Sequence, residues 1–167
     1  MPEITTRPVQ RVAQELAQSS GFLLARLGMG FKSKVIAAAE EAGFELYDYS
    51  VLAILDEGVR ETQSAIAGTL SLDPSRLVAL LDSLEERELI VRQRDPHDRR
   101  RHVVSITPTG KRELVKLRAL VRKIEDEWLA PLDADERAQL HEFLMRLACQ
   151  NDPACAFNTP ENQSNVR

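Results

Sequence analysis

The sequence predicts a mainly α-helical chain with one β-hairpin set behind a pair of short helices. Three observations predict it. Apolar residues step by three and four over most of the chain, the period switches to two only after Leu89, and Asp95-Pro96-His97-Asp98 supplies turn chemistry between the two alternating runs. With 167 residues, 43% of them apolar, and only 8 Pro, 7 Gly and 2 Cys, the composition suits one domain of ordinary size.

Each element has its own signal. Val9, Val12 and Leu16 form a first helical row, interrupted near Ser19-Ser20-Gly21. A second helix, from about Phe22 to Ala42, carries Leu23, Leu27, Phe31 and Val35 at i+4 steps and stops before Gly43. Gly28 and Gly30 inside it weaken the helix and mark a close approach or a kink. Tyr47 to Glu57, with Val51, Leu52, Ile54 and Leu55, reads as a short buried helix ending at Gly58. Thr62 is an N-cap for Gln63 to Leu70. After the link Ser71-Leu72-Asp73, Asp73 caps a second helix with Pro74 at its first position. These two form a helix-turn-helix. On the second, Leu77, Leu81 and Leu84 share one side with Leu80 at its edge, which leaves Ser75, Ala79 and Asp82 opposite and Arg76 and Val78 on the flanks.

Ile90-Val91-Arg92-Gln93-Arg94 and His102-Val103-Val104-Ser105-Ile106 are the hairpin strands, so the pattern as a whole is a winged helix-turn-helix. Thr107-Pro108 restarts a helix whose row Leu114, Leu117, Val121, Ile124, Trp128 has heptad spacing; periodicity alone favours burial within one chain. Pro131 ends that helix, and Asp133 opens a last one with Leu140, Phe143, Leu144 and Leu147 on its inner face. From Asn151 the composition turns polar, as expected of a flexible tail. The expected division is 1–45, N-terminal helices; 46–107, the winged helix; 108–150, C-terminal helices; and 151–167, the tail.

Charge and motifs exclude several functions. The formal net charge is −4, yet Arg92 to His102 holds five arginines against two acids, so positive charge is concentrated on the hairpin. Apolar stretches are too short to cross a bilayer, and Met1 to Gln10 has no signal-peptide character, so a soluble cytoplasmic protein is expected. His97, His102 and His141 form no ligand grouping, and Cys149 and Cys155 have no partner cluster, which argues against a metal or disulfide framework. No phosphate loop or nucleophile elbow is present, so neither a cofactor nor enzymatic activity is expected.

A helix of this kind fits a DNA major groove, and an arginine-tipped hairpin reaches an adjacent groove. Ser75 and Arg76 are the candidates for base edges or adjacent phosphates, with Val78 and Ala79 for thymine methyls. Thr62 and Gln63 are candidates for the DNA backbone. Arg92, Arg94, Arg99, Arg100 and Arg101 are the candidates for wing and phosphate contacts, and Asp98 orients a neighbouring Arg. The alternative is a winged-helix module that binds protein, motivated by the weakly polar face of Ser75, Val78 and Ala79.

From about Leu46 to Leu117 the sequence resembles the MarR family of winged-helix transcriptional regulators. The resemblance is carried by Tyr49-Ser50-Val51-Leu52, Thr62-Gln63-Ser64, Leu72-Asp73-Pro74-Ser75, Leu80 to Glu85, Val91 to Pro96, Asp98-Arg99-Arg100 and Val104 to Gly110. It implies a homodimer whose N- and C-terminal helices interlock, placing two winged helices on a pseudo-palindromic operator. It also implies repression relieved by a small aromatic or phenolic effector bound between the two parts. On that footing Val12, Leu16, Leu114, Leu117, Val121, Ile124, Trp128, Leu140, Phe143, Leu144 and Leu147 are dimerisation candidates. Tyr47 and Tyr49 are candidates to line the effector pocket, the alternative being core residues or surface caps. Arg26 is the candidate anchor for a ligand carboxylate, the alternative being a surface charge. The family's usual Gly is replaced by Glu88, which would let the recognition helix run further.

Overall fold

The computed structural model describes residues 12–45, 47–57, 61–94 and 102–152. The element order is α1 (Gln14–Ala17), α2 (Ser20–Glu41), α3 (Asp48–Asp56), β1 (Glu61–Thr62), α4 (Gln63–Leu70), α5 (Pro74–Glu86), β2 (Ile90–Arg94), β3 (His102–Ile106), α6 (Pro108–Trp128) and α7 (Ala134–Asn151). The mainly helical winged fold expected from the sequence is present. Thr62, Asp73, Thr107 and Asp133 cap helices where the sequence put them, whereas the Ser19 cap starts α2 two residues before the expected Phe22. Ser19, Thr62, Asp73, Thr107 and Asp133 each accept a hydrogen bond from a backbone N–H of the helix that follows. At α7, Glu136 returns the bond to the backbone of Asp133, completing a capping box.

Sequence periodicity missed one strand. β1 is two residues long, too short to leave a pattern, and it pairs antiparallel with β3 through Glu61↔Val104 and Thr62↔Val103. The sheet order is therefore β1-β3-β2, and Ile90↔Ile106 through Arg94↔His102 sets the wing register. β1 runs directly into α4, so the sheet is anchored to the helix-turn-helix at both ends of the hairpin.

The core belongs to the winged-helix part. Leu52, Ile66, Leu77, Leu81, Leu84, Val104, Leu114 and Leu117 are buried in one cluster. That placement corrects the assignment of the heptad row. Leu114 and Leu117 are 0% and 2% exposed and Ile124 is also buried, so these side chains close the core of a single chain and are not free to form a seam between two. Val121 is half-buried beside a cavity, and Trp128 meets Phe31 edge-on with ring centroids 6.0 Å apart. The close approach foreseen near the two glycines of α2 is local to Gly30, where a Cβ would stand 3.0 Å from the Trp128 ring; Gly28 faces open space.

The row on α2 splits. Phe31 and Val35 turn toward α6, whereas Leu23 and Leu27 stay exposed. Likewise α1 and α7 bury no residue among the described residues: on the predicted inner face of α7 Leu140 is half-buried, and Phe143, Leu144 and Leu147 are exposed. Val12 and Leu16 are exposed as well, and Val9 lies outside the described residues. α7 extends through Asn151, the first residue of the expected tail, with Asp152 at its C-cap, and residues 153–167 lie outside the described residues. Arg137 fixes the α6–α7 turn by donating to the Leu132 carbonyl and pairing with Asp126 at 3.2 Å.

Glu88 overturns the expected extension of α5. The helix stops at Glu86, and Glu88 takes the left-handed conformation itself, with φ +57°. Thr107 Oγ1 donates to the Glu88 carbonyl at 2.7 Å, and the Thr107 N–H donates to that of Leu89 at 3.0 Å. α6 then passes so close that a Cβ on Gly110 would run into the Leu89 carbonyl oxygen and stand 2.9 Å from Ile106 Cγ1. The end of α5, the root of the wing and the start of α6 thus form one joint. Among the described residues no helix is long and apolar enough to cross a membrane.

Candidate nucleic-acid interface

The helix-turn-helix presents the N-terminus of α5 outward. Between α4 and α5 the chain reverses at Ser71, in the left-handed region at φ +50°. Asp73 then organises the first turn of α5. One of its carboxylate oxygens accepts from the Arg76 backbone N–H at 2.9 Å and from the Ser75 hydroxyl at 2.5 Å. The Ser75 hydroxyl bond, followed by the Arg76 backbone bond, holds the Asp73 carboxyl below its ordinary value. Ser75 therefore meets a ligand with its hydroxyl proton committed to Asp73 and with oxygen lone pairs still open.

Ser75, Arg76, Val78 and Ala79 are all exposed, as the sequence predicts, with Val78 42% accessible. Leu77, Leu80, Leu81 and Leu84 occupy the opposite side in the core. The Arg76 guanidinium lies 5.2 Å from the centre of the Tyr47 ring, a cation–π contact that orients it across the outer face. At the start of α4, Thr62 Oγ1 caps Ala65 N at 3.2 Å and lies 3.1 Å from Ser64 Oγ, while Gln63 is half-buried. Such a surface can approach a duplex closely, with short polar groups, a helix N-terminus and one arginine at its leading edge.

The wing arginines separate. Arg94 is exposed at the end of β2. Arg92 departs from its expected role, because its guanidinium turns back onto α5 and pairs with Asp82 at 2.6 Å and with Glu85, whose carboxylate also accepts Nε at 2.8 Å. Asp98, Arg99, Arg100 and Arg101 lie outside the described residues.

Beside this surface the fold holds a cavity of about 330 Å³ between α2, the start of α3 and α6. Its wall includes Phe31, Val35, Tyr49 and Val121, with Lys32, Glu45 and Ser50 as polar groups. Of the three effector candidates only Tyr49 lines it. Tyr47 is turned to Arg76, and Arg26 lies on an exposed stretch of α2 away from the lining. Lys32 and Phe31 were missed because residues on the α2 face toward α6 look, in sequence, like ordinary core and surface positions.

A second unforeseen feature is the Asp48–Arg87 pair. Asp48 is fully buried, and its Oδ2 accepts from Arg87 Nη1 at 2.7 Å and from the Glu45 N–H at 2.9 Å. Arg87 also stacks over Phe44 at 4.6 Å. The pair joins the start of α3 to the end of α5 across 39 positions of sequence, a distance over which no local pattern could announce it. Among the described residues no group of three or more His, Cys, Asp or Glu side chains is placed to hold a metal ion.

Comparison with known proteins agrees with this architecture. The MarR family signature matches residues 45–102. A transcriptional regulator of that family from Rhodococcus sp. RHA1 is 33% identical, with a TM-score of 0.72 over 81% of this chain and 96% of that one. CouR from Rhodococcus jostii RHA1, solved with p-coumaroyl-CoA, is 32% identical, with a TM-score of 0.69 over 88% of this chain and 98% of that one. The transcriptional repressor CouR solved on a 23-mer DNA duplex gives 31% identity and a TM-score of 0.74 over 84% of this chain and 99% of that one. A transcriptional regulatory protein assigned to the hcr operon of Thauera aromatica is 33% identical over 114 residues, which are 68% of this chain and 66% of that protein. The capped recognition helix, the β1-β3-β2 wing and these identities together place the chain in the MarR family of transcriptional regulators.

Proposed function

We propose that this protein is a cytoplasmic repressor that binds a pseudo-palindromic operator as a homodimer and leaves it when an aromatic acid occupies the cavity beside Tyr49. The observation that carries this reading is the outward face of α5, where Ser75, Arg76, Val78 and Ala79 stand exposed on a helix whose first turn is held by Asp73. Similarity to a repressor solved on duplex DNA supports it. Arg76 supplies the charge-assisted contact, Val78 and Ala79 the apolar contacts to thymine methyls, and Thr62, Gln63 and Arg94 the contacts to the DNA backbone. Asp98, Arg99, Arg100 and Arg101 are assigned to the flanking groove on their sequence alone.

Dimerisation would use the exposed apolar residues of α1, α2 and α7, among them Leu16, Leu24, Leu27, Phe143, Leu144 and Leu147. The cavity has largely apolar walls suited to a flat aromatic ring, and of the two charged residues that line it, Lys32 and Glu45, Lys32 is the partner for a ligand carboxylate. Release follows if the ligand prefers a dimer whose recognition helices no longer match successive major grooves, roughly 34 Å apart.

The test is selection of a duplex from a random-sequence pool, followed by affinity measurement across a salt series. DNA binding predicts a log-log slope of roughly 0.9 per phosphate neutralised. A protein-binding winged helix predicts no selected duplex and little salt dependence. R76A should weaken the selected duplex by about tenfold or more, the scale of one good base or phosphate contact. A panel of aromatic acids and their coenzyme A thioesters should contain a compound that releases the duplex, and K32A should blunt its action.

A further inference from the structure

Arg92 sits at the root of the wing, on β2, yet its side chain belongs to α5. Its Nη2 is 2.6 Å from Asp82 Oδ1 and 2.5 Å from Glu85 Oε2. Its Nε donates to the same Glu85 Oε2 at 2.8 Å, and its backbone N–H donates to Glu85 Oε1 at 2.9 Å. The planar guanidinium is the group suited to such a fork, since a lysine ammonium offers a point charge without fixed geometry.

The location gives these contacts a consequence for DNA. Asp82 follows Ser75 by seven residues and Ala79 by three, so it continues the outward face of α5 toward its C-terminal end. Its side chain is 49% exposed, against 21% for Arg92. Two carboxylates thus stand on or beside the surface proposed to meet a polyanion, well within the ~10 Å over which charge is felt at 0.1 M salt. Left alone they would repel phosphate.

We propose that Arg92 is a positioning residue: it clamps the wing root to the recognition helix, offsets the charge of Asp82 and Glu85, and makes no phosphate contact of its own. This rests on the DNA reading above. The same bonds lower the Glu85 carboxyl, with the Arg92 side-chain hydrogen bond as leading cause, and raise the Arg92 guanidinium further.

The experiment measures affinity of the full-length protein for its selected duplex across a salt series, for wild type, R92A, R92K and D82N/E85Q, and for R92A placed in the D82N/E85Q background. The clamp predicts that R92A and R92K both weaken binding fivefold or more at low salt, because lysine keeps the charge and loses the fork. It predicts that the salt slope stays at the wild-type value, and that R92A costs less than twofold once both acids are neutral. A phosphate contact predicts the reverse: R92K near wild type, R92A equally costly in both backgrounds, and a slope reduced by roughly 2 per dimer, one phosphate per subunit. That pattern overturns the clamp and leaves the DNA reading standing. A wild type that selects no duplex overturns the DNA reading and this role together. Should R92A fail to fold, R92K and the neutral background still decide between the two patterns.

Discussion

The winged-helix half and the helical arms of this chain treat their apolar residues in opposite ways. Between α3 and the first half of α6, nearly every large aliphatic side chain on an inward face is buried, with Leu52, Ile66, Leu81, Leu84 and Leu114 at 0% exposure. Along α1, the first half of α2 and α7, leucines of the same kind stand in the open; Leu27 and Leu147 are each more than half exposed. The first region satisfies itself within one chain. The second carries an apolar surface of the kind that marks an interface. In the homodimer proposed above this division has a use: a self-contained reading head keeps its shape while the arms set its spacing from the second head.

The largest effect that would break this comparison lies in the core. L81A should destabilise the fold by about 2–5 kcal/mol, the usual cost of a buried leucine and its cavity, and by the same amount at every protein concentration. F143A/L147A also removes apolar side chains, but from a surface. It should lower the unfolding midpoint mainly by removing the concentration dependence that dimerisation gives the wild type, and shift sedimentation toward the monomer. Equal, concentration-independent losses from both variants would mean that α7 is closed by its own chain and that the two regions do not differ.

How much of this was legible in the sequence follows the same division. The helix-turn-helix and wing were readable because their signals are local: Thr62, Asp73-Pro74 and Thr107-Pro108 state helix starts within three residues, and strand alternation states the hairpin. Features that depend on residues far apart were not. Asp48–Arg87 spans 39 positions, the cavity draws its wall from three helices, and β1 exists only because Val103 and Val104 are there to pair with it. For the heptad row, periodicity favoured burial within one chain, as found for Leu114, Leu117 and Ile124, and it was the family resemblance that moved these residues to the dimer seam. Period does not name what they pack against, and only the tertiary structure says that it is α2 and α3 of the same subunit.

A smaller effect sharpens the comparison at the joint between regions. Glu88 occupies a left-handed conformation that costs a residue with a Cβ about 1 kcal/mol. E88G relieves that cost but adds freedom to the unfolded chain, worth about 0.5 kcal/mol in the opposite direction. The variant should therefore be more stable by about 0.5 kcal/mol in denaturant unfolding. Destabilisation would instead show that the Glu88 side chain contributes contacts at the wing root.

The smallest effect concerns acid, and it separates the regions by location. Among the described residues, the carboxyls held low in the folded protein are Asp73 and Glu85, both on the reading head, the first held by Ser75 and the Arg76 backbone, the second by Arg92. A carboxyl lowered by folding stabilises the protein above its unfolded value, and that contribution fades as pH falls through the folded value. Stability should thus decline as pH drops through and below the ordinary carboxylate range. Amide exchange should loosen first at β2 and the first turn of α5, before α2 or α6. Because the Glu85–Arg92 pair is at the surface, E85Q should flatten the acid side of the profile by about 2 °C at most in unfolding midpoint. It should also remove the early loosening of β2 while leaving that of α5. If α2 and α6 loosen first, acid acts on the arms, and the carboxylates of the recognition helix are not what fixes the wing to it.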